Sequence, residues 1–294
     1  MNGVLVLGAA GMLGRAVLTC ALDEGAEATG LTHDQLDICD EALVAEALAR
    51  HDPEAVINCA AWTDVDGAQS DPQGAHRVNA VGAGVVARAV ARTGATLVHV
   101  STDYVFDGSG SRPYLESDPT APETAYGESK LEGERAVRAA SERHAIVRTA
   151  WLFGAGGTNF VDTMLRLAGE GRDELRVVSD QVGCPTWTGH LAPALLAVAR
   201  ARPGGVLHVA GAGSCTWNAL AREVFSRAGY AVTVAPATSE EMRRPAPRPT
   251  YSVLGSEREE APRLADWRAG VEGHLRARGL PASPPVVSGA GAGA

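Results

Sequence analysis

The stretch VLVLGAAGMLG, residues 4–14, sends a short apolar run straight into glycines at Gly8, Gly11 and Gly14. Small residues at that spacing let the chain turn sharply and let a helix begin against the end of a strand, its first N–H groups facing an anion. A strand at Val4–Leu7 and a helix over Gly11–Leu22 are therefore expected, with Met12 and Leu13 in the first turn. Glycine punctuates many tight turns and this chain has 34, so the trio alone says little. Its place one strand into the chain, with a parallel-sheet pattern behind it, points to the pyrophosphate of a dinucleotide.

That pattern is an alternation of apolar runs with amphipathic ones. Ala28–Leu31 reads as a second strand, and Asp40 can N-cap a helix carrying Leu43, Val44, Ala47 and Leu48. AVINCAA (55–61) is apolar throughout, as a strand covered on both faces must be. A helix over 74–93, a strand at 96–102, a helix over AYGESKLEGE and a strand at 144–153 follow. The expected fold is α/β: a Rossmann-type doubly wound parallel sheet over residues 1–150. A smaller mixed α/β substrate lobe is expected over 151–280, with room for some segments to rejoin the first domain. Its helices fall near 158–170, 188–201, 216–228 and 262–278, its strands at 175–180, 206–210 and 231–235. Residues 281–294, PASPPVVSGAGAGA, read as a disordered tail.

Composition narrows the function classes. A net charge of −9 without any lysine-rich run argues against nucleic acid and anionic membrane as partners. The five cysteines (Cys20, Cys39, Cys59, Cys184, Cys215) form no CxxC pair, and dispersed thiols suit the reducing cytoplasm. The eight histidines form no metal-binding pattern, so no metal is expected. The N-terminal apolar stretch has no basic flank and is broken by glycines and Arg15, unlike a signal peptide or a membrane span.

Among 26 strong cations, one is lysine: Lys130, four residues after Tyr126. On a helix both side chains leave the same face. A tyrosine–lysine pair at this spacing also occurs on solvated faces, but arginine could supply surface charge equally well. A compact ammonium able to bond ribose hydroxyls beside a phenol is harder to replace. At ~4 Å and an effective dielectric near 20, the lysine would favour the phenolate by roughly 4 kcal/mol. The Tyr126 phenol is thus expected to be drawn down towards the operating pH, where a general acid works best. Ser101 and Thr102, ending the fourth strand, offer hydroxyls where parallel sheets present ligands, and Thr102 is the choice to hold a carbonyl oxygen. The second strand ends in Thr32 and His33 rather than a carboxylate, although Asp34 is close by. NADPH is therefore the expected cofactor, with NADH the second choice.

Taken together, GAAGMLG, LDICD, VINCAAWTDVDGAQ, STDYVFDG, AYGESKLEGE, RTAWLFG, VVSDQVGCPTW and RPTYSVL carry a resemblance. Over about residues 3–278 the chain resembles the dTDP-4-dehydrorhamnose reductase family of extended short-chain dehydrogenases/reductases. The resemblance implies reduction of the C4 keto group of a dTDP-linked 4-keto-6-deoxy-hexose, with Tyr126, Lys130 and Thr102 catalytic. It adds Asp37, Ile38, Cys59, Ala60, Ala61, Thr63 and Asn79, with Ser101, to the cofactor cleft. It places Asp103, Val105, Phe106, Trp151, Asn159, Gln181, Pro185, Thr186 and Arg248 around the substrate. An arginine fork suits a pyrophosphate, while Trp217 fits either a core or a stacking role. Some relatives bridge a dimer through Mg²⁺ with carboxylates, but here those segments offer Ala16 and His190, so a monomer or weak dimer is expected. Two alternatives stay open: a 4-ketoreductase for another dTDP-keto-sugar of antibiotic glycoside biosynthesis, and, more remotely, a non-catalytic dinucleotide-binding subunit. A dehydratase would carry Asp-Glu where this chain has Asp103-Tyr104.

Overall fold

Five strands, β1 (Val4–Leu7), β2 (Ala28–Leu31), β3 (Ala55–Asn58), β4 (Thr96–Thr102) and β5 (Ala145–Thr149), are joined by Gly205–His208 in one parallel sheet. The computed structural model describes residues 3–141 and 143–282, and the expected tail lies outside them from residue 283 onward. Across the sheet the order is Gly205–His208, β5, β4, β3, β1, β2. The chain runs outward from β1 to β2, then returns past β1 to β3. Between β1 and β3, at their carboxyl ends, lies the crevice where such sheets bind ligands.

Alternating side chains serve the two faces. Val4, Val6, Ile57, Val98 and Val147 pack under α1 (Met12–Asp23) and Thr188–Ala201; Leu5, Leu7, Val56, Leu97 and Ile146 face the other way. There they meet α2 (Glu41–His51), which Asp40 caps by accepting from Ala42 and Leu43 N–H at 2.9 and 3.0 Å. After the short helices α3 (Val65–Ser70) and α4 (Pro72–His76), α5 (Ala83–Ala91) and α6 (Ala125–Ala140) complete that layer.

Three sequence expectations need correction. The strand expected at 206–210 in the smaller lobe is the sheet's edge strand, Gly205 opposite Ala145. Val206 and Leu207 bury on opposite faces, a demand that a four-residue run states without naming its partner. The helix expected over 74–93 contains a π-helical segment at Arg77–Gly82, whose widened turn carries Asn79 inward. The strand expected at 144–153 ends at Thr149 and resumes at Leu152–Phe153. Between them Trp151 sits at φ +45°, a left-handed conformation strained for a bulky residue.

The smaller lobe has its own core, with Phe153, Leu165, Phe225, Trp267 and Val271 at its centre. Around it lie α7 (Phe160–Gly169), α9 (Trp217–Ala228), α10 (Ser239–Met242), α11 (Trp267–Ala277) and the parallel pair Glu174–Val178 and Thr233–Ala237; α8 is the Thr188–Ala201 helix already on the sheet.

Candidate active site

At the glycine turn the backbone is pressed against its neighbours. Gly8 has φ +76°, and a Cβ there would sit 2.7 Å from the Ala60 backbone; one on Gly14 would lie 2.3 Å from Gly8 O. Gly11 N-caps α1 and donates its N–H to Gly8 O at 3.0 Å. The N-terminus of α1 therefore opens directly over β1, a cradle that fits a pyrophosphate. Leu13 is buried beneath it, while Met12 meets Asn159, whose Nδ2 lies 3.7 Å from its Sδ. Gly8→Ala combines left-handed strain with a backbone clash. We expect a stability loss of about 1–3 kcal/mol and dinucleotide binding weakened by at least ~10-fold, read by thermal melts and cofactor titration.

The tip of β2 is open. His33 is exposed, and Thr32 N–H donates to Gln35 Oε1 at 2.9 Å. Asp37 accepts from Cys39 N–H and pairs with Arg77 at 2.6 Å, which together hold its carboxyl below the usual range; Ile38 is buried beside it. Past β3, Cys59, Ala60 and Ala61 form a half-buried wall, and Thr63 is exposed. Asn79 fixes this wall to α6: its Oδ1 accepts from Trp62 N–H at 2.8 Å, and its Nδ2 donates to Ser129 Oγ at 2.9 Å. Burial pushes the Cys59 thiol up to about 12.

Thr124 starts α6 by accepting Gly127 N–H at 3.0 Å, which places Tyr126 in the first turn and Lys130 one turn on. Tyr126 is buried, with Thr102 in hydrogen-bonding reach of its hydroxyl and Tyr104 edge-on at 5.5 Å. The expected lowering of this phenol does not occur: burial pushes it up to about 12, and Asp103 adds to the rise. Lys130, 2 % exposed, donates a hydrogen bond from Nζ to Val100 O at 2.7 Å, and burial lowers it to about 8 against the pull of Glu134 and Cys59. Ser101 also turns away from the crevice. Adjacent strand residues point to opposite faces, and its hydroxyl donates to buried Glu134 at 2.6 Å.

Asp103 follows Thr102, accepts its hydroxyl at 3.0 Å and is 2 % exposed. Burial raises its carboxyl from 3.8 to about 6, against the Thr102 hydrogen bond and the nearby Ser252 hydroxyl. A carboxyl raised on folding contributes stability that is fully present below its unfolded value and is lost as pH rises through about 6. Asp103→Asn does not titrate, so at pH 7.5 it should be the more stable by up to roughly 3 kcal/mol. In urea unfolding that advantage should vanish towards pH 4; a pH-independent difference would contradict it.

Beyond Tyr104, which follows the carboxyl end of β4, a cleft of about 970 Å³ opens against the smaller lobe. Trp151 and Trp217 stack in it at 3.5 Å and 3°, and Trp217 Nε1 donates to Gln181 Oε1 at 3.0 Å. The left-handed break at Trp151 brings the indoles face to face, and both also pack against the smaller lobe's core. Asn159 lines the cleft while capping α7. Arg248 lines it too, paired with Asp66 at 2.9 Å, and Arg244 reaches the same carboxylate at 3.3 Å. The structure does not bring the remaining substrate candidates to the cleft wall. Val105 and Phe106 belong to a small core in which Phe106 stacks on Tyr114; Pro185 is buried, and Thr186 is fully buried with its hydroxyl between Cys184 O and Gly211 N–H. Sequence reading missed Asp66 and Tyr104. Asp66 lies about 180 residues from its arginines, whereas Tyr104, two residues beyond Ser101-Thr102, was within reach of the strand-end rule.

Among the described residues no three His, Cys, Asp or Glu side chains gather into a metal site, and no helix is long and apolar enough to cross a membrane. Ala16 packs against the sheet's core and His190 against Trp187.

Comparison with known proteins gives consistent matches. The RmlD substrate binding domain family matches residues 1–278. A dTDP-4-dehydrorhamnose reductase of Streptomyces griseus is 49% identical over 91% of both chains. A probable dTDP-4,6-dihydroxy-2-methyloxan-3-one 4-ketoreductase of Streptomyces antibioticus is 45% identical over 91% of this chain and 92% of its own. A crystal structure of dTDP-4-dehydrorhamnose reductase from Bacillus anthracis, in complex with NADP, superposes with a TM-score of 0.91 at 36% identity, over 94% of this chain and 100% of that one.

Proposed function

Because the chain belongs to the RmlD substrate binding domain family, we propose that it reduces the C4 keto group of a dTDP-linked 4-keto-6-deoxy-hexose with NADPH, converting dTDP-4-dehydro-L-rhamnose to dTDP-L-rhamnose. The observation that carries this reading is the burial of Tyr126 and Lys130 one turn apart on α6, with the Thr102 hydroxyl close enough to act on the phenol, in the chain whose glycine turn cradles a pyrophosphate. NADPH, when bound, supplies the hydride for C4. Gly8, Gly11 and Gly14 would hold its pyrophosphate, and Cys59, Ala60 and Ala61 would form the wall beside it.

Tyr126 Oη gives its proton to the carbonyl oxygen as that oxygen gains charge. A phenol pushed up to about 12 stays protonated at neutral pH, so the resting site is set for reduction rather than oxidation. Thr102 orients the same oxygen, and Lys130 fixes α6 to β4 through Val100 O while presenting its charge to the cofactor's ribose. Arg248 and Arg244 exchange Asp66 for the substrate diphosphate, a strong acceptor for guanidinium donors. The Trp151–Trp217 stack offers an aromatic face to the base.

A second reading, reduction of another dTDP-keto-sugar, has support in the 45% identical ketoreductase. We place the enzyme in the cytoplasm, in keeping with five free thiols, acting as a monomer or weak dimer. The test is consumption of NADPH against a panel of dTDP-4-keto-sugars, with the product identified by NMR. Turnover with dTDP-4-dehydro-L-rhamnose is expected; turnover only with another keto-sugar favours the second reading, and none with any of them rejects both.

A further inference from the structure

We propose that Asp66 is a built-in anion of the cleft: it holds Arg248 and Arg244 until an incoming phosphate group displaces it, and so sets which anions the cleft admits. The proposal rests on the reading of the cleft as the seat of a nucleoside diphosphate. It makes Asp66 a specificity-determining residue that acts through two arginines rather than on the sugar.

The contacts converge on one carboxylate oxygen. Arg248 Nη2 lies 2.9 Å from Asp66 Oδ2, and Arg244 Nη1 lies 3.3 Å from the same atom. Two guanidinium groups on one anionic oxygen is the arrangement that a phosphate oxygen would otherwise meet. Both arginines belong to the cleft wall, whereas Asp66, on α3, does not. The carboxylate therefore draws their donors back towards α3 and away from anything in the cleft. Its other oxygen, Oδ1, accepts Ala246 N–H at 3.1 Å, and Arg248 Nη1 donates to Ala246 O at 3.1 Å. Both partners are thus tied to one residue, and Arg248 stays at the wall while its Nη2 bond is exchanged. The Arg248 and Asp66 side chains are 17 % and 23 % exposed, so water screens this pair less than a surface one.

The consequence is selection. A carboxylate fixed beside its arginines acts at an effective concentration of about millimolar or more. Inorganic phosphate brings the arginines only its own charge, and below that concentration it does not take them. A nucleoside diphosphate brings a second phosphate and a base able to meet the Trp151–Trp217 stack, contacts that Asp66 cannot match. Glu240 is the contrast. It lines the same cleft, is exposed, and forms no ion pair among the described residues.

The test is equilibrium binding of dTDP, by calorimetry, to the unaltered chain, Asp66→Asn, Asp66→Ala and Glu240→Gln, each repeated with inorganic phosphate as competitor. Asparagine keeps an acceptor for Ala246 N–H and gives up the charge that holds the arginines. With the arginines free about a tenth of the time or less, the apparent Kd of the unaltered chain is raised ~10-fold or more. Asp66→Asn should therefore bind dTDP at least ~10-fold more tightly, and phosphate should compete at a concentration lower by the same factor. Glu240→Gln removes the same charge without releasing an arginine, and should change either value far less. Weaker dTDP binding by Asp66→Asn would make the carboxylate a support that aims the arginines, and would overturn the proposal. Unchanged binding would overturn it too, and so would equal gains in Asp66→Asn and Glu240→Gln, the mark of a general field. Should Asp66→Asn fail to fold, Asp66→Ala decides on the same readings. If the unaltered chain does not bind dTDP, the reading of the cleft falls and the proposal with it; binding without the Asp66 gain rejects the proposal alone.

Discussion

Tyr126→Phe is expected to lower kcat by a factor of about 10²–10⁴, the range for a lost general acid, with little change in KM. Phenylalanine keeps the ring in its pocket of Ala68, Ala75, Val65 and Tyr104 and removes only the hydroxyl. The melting temperature should therefore stay close to that of the unaltered chain, which separates a chemical loss from a folding one. Equal kcat for the two would mean that the proton comes from elsewhere. Since burial holds the phenol at about 12 and Lys130 at about 8, an alkaline fall in kcat/KM should reflect loss of the Lys130 charge above pH 8 rather than ionisation of Tyr126.

The second large effect is on stability. Beneath the site, Arg148 clasps Glu134 through two bonds of 2.9 and 2.7 Å, with both side chains 2 % exposed. Ser101 completes the carboxylate, and His208 lies 3.4 Å from Arg148 Nη1. The pair ties α6, one turn past Lys130, to β4 and β5. Removing either partner strands a buried charge, so Arg148→Ala or Glu134→Ala should each cost about 3–5 kcal/mol. Glu134→Leu combined with Arg148→Met, which strands neither, should recover much of that loss. Urea unfolding of the two singles and the double checks this. A double variant as unstable as the sum of its singles would show that the two side chains act independently.

Much of this molecule was legible because its signals are local. The Gly8–Gly14 turn, the Asp40 cap, the fully apolar strands and the Tyr126–Lys130 face each follow from neighbours a few residues apart. The failures share one cause, that burial and partner choice are set by distant chain. The lowering expected for Tyr126 assumed a lysine facing a hydrated phenol; the fold buries the phenol and turns the lysine to Val100. Ser101 and Thr102 looked equivalent in the sequence, yet strand alternation sends one to Glu134 and the other to the site. Trp151 read as mid-strand, and the left-handed break that stacks it on Trp217 leaves no mark in RTAWLF. Asp66 could not announce Arg244 and Arg248 from so far away. The lone lysine keeps its significance for a changed reason: 2 % exposed, it serves a backbone carbonyl where a guanidinium would be harder to seat.

The most direct test of the account is isotopic. NADPH carrying deuterium at its transferable position would be incubated with the enzyme and dTDP-4-dehydro-L-rhamnose, and the sugar product examined by NMR. The account predicts one deuterium at C4 of dTDP-L-rhamnose for each NADPH oxidised. A product without deuterium at C4, or no oxidation of NADPH at all, would contradict it.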